Sequence, residues 1–166
     1  HSKWIGEHIS RYPILLDELI DPQVLYKPTP LSAYKDEIRQ YFLRIEHGDL
    51  ELQMEALRQF KQTHQLRIAA ADATGVLSVM KVSDHLTALA EAIVEQAVNI
   101  AWHACVERFG QPVNTSEQEK GFAVIAYGKT GCFEVGSDYD LELVSVHNHD
   151  GSSSTAVDKS INSPPF

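Results

Sequence analysis

The sequence predicts a mostly helical α+β fold, and three observations predict it. Up to about residue 112, apolar residues recur at three- and four-residue spacing, the pattern of one-sided helices. Beyond that point the periodicity gives way to two short apolar runs separated by a glycine-punctuated segment. Two strand-like runs joined by a nine-residue connection and preceded by helices suggest a helical domain running into an α+β domain. The expected organisation is a helical region over residues 1–112, the start of an α+β domain over 113–150 and a tail over 151–166.

Helical spacing begins at Trp4, Ile5, His8 and Ile9, is interrupted by Pro13, and resumes at Leu15, Leu16, Leu19 and Ile20 before Asp21 and Pro22. Two short helices joined at the proline are expected, because a proline disfavours helical geometry in the residue before it. Pro28 and Pro30 punctuate the next stretch. Tyr34 to Ile45 then sets Ile38, Tyr41, Phe42 and Ile45 at i, i+3, i+4 and i+7, one amphipathic helix that His47-Gly48-Asp49 ends. A longer helix follows from Leu50 to Asp72, with Leu50, Met54, Leu57, Phe60, His64, Ile68 and Ala71 along one stripe, and Gly75 breaks it. Ser83 is expected to cap the next helix, whose stripe is Leu86, Leu89, Ala90, Ile93, Ala97, Ile100, Ala101, Ala104 and Cys105. Gly110 and Pro112 stop it. The polar faces of these helices read as solvated surface, since exposed charge specifies little.

Gly121 to Tyr127 contains the apolar run Phe122-Ala123-Val124-Ile125-Ala126, which suits a buried strand. Residues 128–136 separate it from a second strand-like run, Tyr139 to His147. After Asp150 the serine-rich stretch and the polar end closing on Pro164-Pro165-Phe166 hold too little apolar content to pack, so this tail is expected to be disordered.

Composition narrows the function classes. A chain of 166 residues, 43% hydrophobic, can build one compact domain or parts of two. Its apolar runs are too short for a membrane span, and it shows no secretory leader, so a cytoplasmic protein with no membrane partner is expected. A formal charge of −9 argues against nucleic acid as a partner, which would need a positive surface. Cys105 and Cys132 belong to no metal-spaced cluster and are expected to be free thiols. Because the chain opens at His1 without a methionine, it is expected to be an excerpt of a longer protein.

The chemistry concentrates between Tyr127 and Leu141. If residues 138 to 146 form a strand, Asp138 and Asp140 lie on the same side with Cα atoms about 6.6 Å apart. Two carboxylates so placed can hold Mg²⁺, which takes oxygen ligands from one or two carboxylates and substrate phosphates. A glycine turn at Gly128 to Gly131 lets backbone N–H groups approach phosphate closely. Taken alone, an Asp-x-Asp pair decides little, since aspartate also stabilises turns. Gly128-Lys129-Thr130 imitates the end of a phosphate-binding P-loop, but Ala123 stands where that loop needs its first glycine. His147-Asn148-His149-Asp150 reads as solvated loop, and Cys132 has no basic neighbour to make it a nucleophile.

An apolar strand ending in Tyr127-Gly128-Lys129, a glycine segment with Glu134 and Gly136, and then Ser137-Asp138-Tyr139-Asp140-Leu141 resembles the signature of the nucleotidyltransferase superfamily. More narrowly, the chain is similar to the C-terminal, adenylylating half of the glutamine synthetase adenylyltransferase family. Leu15 to Pro22, Glu55 to Gln62, Leu66 to Asp72 and Met80 to Thr87 resemble that half in the same order, so the likeness runs from about residue 12 to 147. It implies that the two runs after residue 112 are the first two strands of a nucleotidyltransferase-type sheet. It also implies Mg²⁺-dependent transfer of AMP from ATP to a tyrosine of glutamine synthetase, with a nitrogen-signalling regulatory protein as a further partner. Carried over by position, Asp138 and Asp140 would be the catalytic carboxylates and the ligands of two Mg²⁺ ions. Gly128, Lys129, Gly131 and Ser137 would form the phosphate-facing turn, with Lys129 either facing phosphate or capping the turn.

The sequence departs from the family pattern at several points. Thr130 stands for a leucine, Cys132 for a glycine, and about two residues fewer separate Gly136 from Asp138. Glu142 adds a third acid to the face of the two aspartates, where close carboxylates repel unless metal compensates. The family's third catalytic carboxylate comes from a later strand, and nothing after Asp150 supplies it, so an incomplete catalytic domain with poor transfer on its own is expected. The alternative is a non-catalytic module in which the helical region binds glutamine synthetase or a regulator.

Overall fold

The structure, a computed structural model, describes residues 3–13, 26–46, 48–127 and 142–147. Among these, helices α1 (Lys3–Arg11), α2 (Tyr34–Phe42), α3 (Leu50–Ala73) and α4 (Val79–Phe109) precede strands β1 (Phe122–Tyr127) and β2 (Glu142–His147), and a 3₁₀ turn at Leu31–Ala33 leads into α2. The expected class, mostly helical α+β, is the one observed. The described residues divide into two units, one running to Gln96 and the other from Ala97 to Tyr127 together with β2. No described helix is long and apolar enough to cross a membrane.

In the first unit, α1 places Ile5, Ile9 and Tyr12 one turn apart, and all three pack against Leu66 and Ala70 of α3. Tyr12 N–H donates to the carbonyl of His8, and Pro13 follows with no N–H to continue the ladder. The second short helix expected between Leu15 and Ile20 lies outside the described residues.

Helix α2 buries Tyr34, Ile38 and Phe42, a strict four-residue spacing, and leaves Tyr41 exposed. Its inward stripe therefore starts at Tyr34 and omits Tyr41, which the sequence pattern had placed on it. Past Phe42 the backbone bonds shorten to three-residue span, Arg44 to Tyr41 and Ile45 to Phe42, so the helix closes three residues before the expected end.

Helix α3 opens on a cap in which Asp49 Oδ1 accepts from Leu52 N–H at 2.9 Å. Of its expected stripe, Leu57, Phe60, His64, Ile68 and Ala71 are buried, whereas Leu50 and Met54 are about half exposed. Burial of Gln62, Leu66, Ala69 and Ala70 as well shows that the second half of α3 is covered on several sides, the mark of a central helix. It ends in a Schellman motif: Val76 N–H returns to Ala71 C=O and Gly75 N–H to Asp72 C=O, both at 2.9 Å, with Gly75 at φ 73°.

Helix α4 begins at Val79, a full turn before Ser83, so Ser83 lies inside the helix and does not cap it. The earlier serine has that place, because Val82 N–H donates to Ser78 C=O at 3.0 Å. The buried face of α4 in this unit is Val82, His85, Leu89 and Ala92, rotated from the expected stripe, with which it shares only Leu89. Residues with small side chains blurred the pattern, since alanine reads as apolar without marking which side is covered.

In the second unit, Ile100 of the expected stripe is buried, whereas Ala101, Ala104 and Cys105 of it are exposed, and Cys105 is a free thiol. The connection after α4 is held back onto the helix. His103 Nε2 lies 2.8 Å from Glu117 Oε1, and the Lys120 ammonium sits 5.9 Å from the centre of the Trp102 ring. Within it, Ser116 and Glu119 pair through their backbones, and Thr115 Oγ1 donates to Pro112 C=O at 2.7 Å. Strands β1 and β2 then pair antiparallel, Phe122 opposite His147 through Tyr127 opposite Glu142.

The first strand is not the buried strand that its apolar run suggested. Phe122 and Ile125 are 45% and 44% exposed, and Leu143, Val144 and Val146 across the ladder are exposed to a similar degree. Directly opposed residues share a face, so Phe122, Val124 and Leu143 lie on one side and Ile125, Val144 and Val146 on the other. Both faces of this ribbon are apolar, the composition of a strand pair meant to be covered on both sides.

Candidate functional site

The ladder determines what can be said of the glycine and aspartate segment. Tyr127 and Glu142 face each other at the last described rung, so the strands on either side of residues 128–141 are paired up to their inner ends. In the sequence, Gly128 and Lys129 follow β1, and Asp138 and Asp140 precede β2. Gly128, Lys129, Gly131, Ser137, Asp138 and Asp140 themselves lie outside the described residues. Glu142 is described in its backbone only, on the Ile125 and Val144 side of the ribbon. Among the described residues no group of three or more His, Cys, Asp or Glu side chains is placed to hold a metal ion.

A polar cluster that sequence reasoning did not find lies in the helical unit. Thr29 Oγ1 donates to Glu37 Oε2 at 2.7 Å and lies 3.4 Å from His64 Nδ1. The other carboxylate oxygen of Glu37 is 3.5 Å from His64 Nε2 and 3.8 Å from Arg67 Nη1. Tyr34, fully buried, meets the His64 ring edge-on at 5.3 Å and the His85 ring at 6.0 Å, and its hydroxyl is 3.1 Å from His85 Nδ1. Phe60 closes the other side of His64 at 4.2 Å between ring centres.

Burial controls the protonation of this cluster. It pulls His64 down to about 3, with the nearby Arg67 charge acting in the same direction, so the ring is neutral at ordinary pH. His85 is lowered, chiefly by burial, with Lys81 adding to the effect and Asp84 opposing it. Burial likewise raises the Tyr34 phenol, and the Glu37 carboxylate adds to the rise. Groups that stay neutral and are bonded to one another act as structural pins and are poor proton carriers near neutrality. The one signal in the sequence was His64 on an otherwise apolar stripe; the pairing with Tyr34 and His85 spans distant parts of the chain.

A family model described as glutamate-ammonia ligase adenylyltransferase matches residues 1–166. Among curated relatives, the chain is 54% identical over 165 residues to a protein of Shewanella frigidimarina named bifunctional glutamine synthetase adenylyltransferase/adenylyl-removing enzyme, covering 99% of this chain and 17% of that protein. Proteins of the same name from Shewanella loihica and Vibrio parahaemolyticus are 58% and 60% identical over 148 residues, covering 89% of this chain and 16% of each relative. The chain therefore spans about one sixth of the length of the curated relatives it matches. With a family match over its whole length, the chain belongs to the glutamate-ammonia ligase adenylyltransferase family.

Proposed function

We propose that this chain carries part of the ATP site of an adenylylating domain, one that moves AMP from ATP onto a tyrosine of glutamine synthetase in the cytoplasm. A single observation carries the reading: 54% identity across 99% of the chain to a protein named bifunctional glutamine synthetase adenylyltransferase/adenylyl-removing enzyme. The antiparallel pairing of β1 and β2 supports it, because the strands that flank residues 128–141 in the sequence lie side by side. On this reading residues 113–150 begin the catalytic domain, residues 1–112 form its helical neighbour, and residues 151–166 are a tail. A nitrogen-signalling regulatory protein is the further partner.

The donor set suits magnesium, since two carboxylates two residues apart supply the oxygen ligands this ion prefers and leave positions for phosphate. Asp138 and Asp140 would hold two such ions. Bound Mg²⁺ would supply charge neutralisation on the triphosphate and on the departing pyrophosphate. Gly128, Gly131 and Ser137 would present backbone and hydroxyl donors to phosphate, and Lys129 would add a point charge. The tyrosine oxygen would attack the α-phosphorus in line, so the work of the chain is positioning and electrostatics.

Calorimetric titration with ATP, with and without Mg²⁺, tests the reading on this chain and on an Asp138→Asn, Asp140→Asn double variant. Magnesium-dependent binding that the double variant loses is the expected result; equal binding by both proteins, or none by either, would overturn it. A second reading, a helical interaction module for glutamine synthetase or a regulator, draws on the exposed apolar side chains of the helical unit. Leu43, Val79 and Met80 are 81%, 79% and 77% exposed there. Retention of glutamine synthetase by the double variant, without nucleotide binding by the parent chain, would favour it.

A further inference from the structure

We propose that the segment from Thr29 to Phe42 is a proton-sensitive clasp, held shut by two buried neutral histidines, His64 on α3 and His85 on α4, and loosened when the opened segment lets them take up protons. The observation is one of placement. Tyr34 projects from the start of α2 between the two rings, 5.3 Å from one and 6.0 Å from the other, and is itself fully buried. His64 and His85 are 2% and 8% exposed, so neither ring is solvated while the segment is in place. This inference concerns the helical unit and stands apart from the proposed nucleotide site.

The charged groups that face the rings among the described residues bear on the direction of the effect. From α2, Glu37 would attract a charged His64, but its Oε2 is already taken by Thr29 and its Oε1 is shared with Arg67. From α3, Arg67 opposes a charge on His64. From α4, Asp84 favours and Lys81 opposes a charge on His85, and the Tyr34 hydroxyl is bonded to its Nδ1. Desolvation exceeds these contributions at both sites, so both rings resist protonation in the closed segment. Once the segment opens, each ring meets water and regains an ordinary value of about 6.5.

The sign follows from linkage. A histidine whose value is depressed in the closed form costs nothing above pH 6.5 and disfavours closure progressively as pH falls below it. For a ring that stays neutral when closed, opening at pH 5.5 is about tenfold more frequent than at pH 7.5. His64 contributes about that factor, and His85 up to a further factor of about ten.

Native-state hydrogen exchange of the α2 amides, corrected for intrinsic rates and run where exchange reports the opening equilibrium, reads this directly. Protection over Tyr34–Phe42 is expected to fall by more than the roughly tenfold that His64 alone accounts for, up to about a hundredfold, from pH 7.5 to 5.5. In a His85→Gln variant, which keeps an acceptor for Tyr34 without titrating, the fall is expected to be smaller. Protection that does not change with pH, or a fall of equal size in the variant, would overturn the clasp. Should the variant not fold, NMR titration of the two rings in the unaltered chain decides: rings that remain neutral at pH 5.5 support the proposal, and ordinary titration near 6.5 sinks it.

Discussion

The Tyr34 hydroxyl lies 3.1 Å from His85 Nδ1 at the centre of the helical unit, with the tyrosine fully buried. In the tautomer that leaves Nδ1 bare, neutral His85 accepts a hydrogen bond from the phenol, and both partners are buried. Tyr34→Phe keeps the ring and its edge contacts with His64 and His85 but deprives a buried nitrogen of its donor. The expected loss is about 1–3 kcal/mol, the cost of an unsatisfied buried polar group. Urea unfolding of the two proteins checks it, and an unchanged midpoint would show that the bond contributes nothing net.

Glu95 offers the opposite case, an ion-pair network at the surface. Its carboxylate oxygens lie 2.8 Å from Lys35 Nζ and 3.1 Å from Arg39 Nη2. The bond to Lys35 is the main reason its carboxyl is lowered, and the same bond raises Lys35. For a carboxyl held below its unfolded value, the stabilisation is present at neutral pH and is lost as pH falls through the folded value. Because the groups are more than a third exposed, solvent and salt discount the effect to at most about 1 kcal/mol. Glu95→Gln is expected to lower stability by about half that at pH 7, and the difference should shrink in 1 M salt, where the Debye length is about 3 Å.

At the start of α3, Asp49 Oδ1 accepts from Leu52 N–H at 2.9 Å and satisfies one of the orphan donors of the first helical turn. Asp49→Ala is expected to cost about 1 kcal/mol, and Asp49→Ser much less, since serine also caps. A thermal melt of both variants distinguishes loss of the cap from loss of negative charge, which both share.

Much of the architecture is legible in the residues, and the failures have identifiable causes. Helix α3 was legible because Leu57, Phe60, His64 and Ile68 keep a helical period between an aspartate cap and a glycine stop. The start of α4 was not, since the expected stripe begins only after Ser83, whereas the backbone bond from Val82 to Ser78 sets the first turn earlier. Strand β1 was legible as a strand but not in its exposure, because burial depends on what lies over the ribbon and not on its own apolar run. The glycine and aspartate motif was legible as a family resemblance, and the family is shown. The Tyr34 and His85 pair was beyond reach, as 51 positions separate the partners and no local pattern links them.

The end of α3 tests how a backbone requirement differs from a packing one. Gly75 holds φ 73°, in the left-handed region, and its N–H and that of Val76 close the Schellman bonds to Asp72 and Ala71. A side chain there would meet nothing within 4 Å, so no collision opposes substitution and only the conformation does. Gly75→Ala is therefore expected to cost about 1–2 kcal/mol, the penalty of a Cβ in left-handed geometry. Gly75→Asn should recover part of this loss, because asparagine tolerates that geometry through its short polar side chain. Chemical denaturation of the three proteins reads the order directly: Gly above Asn above Ala follows from backbone strain, whereas a loss that grows with side-chain size would mean that packing governs this turn.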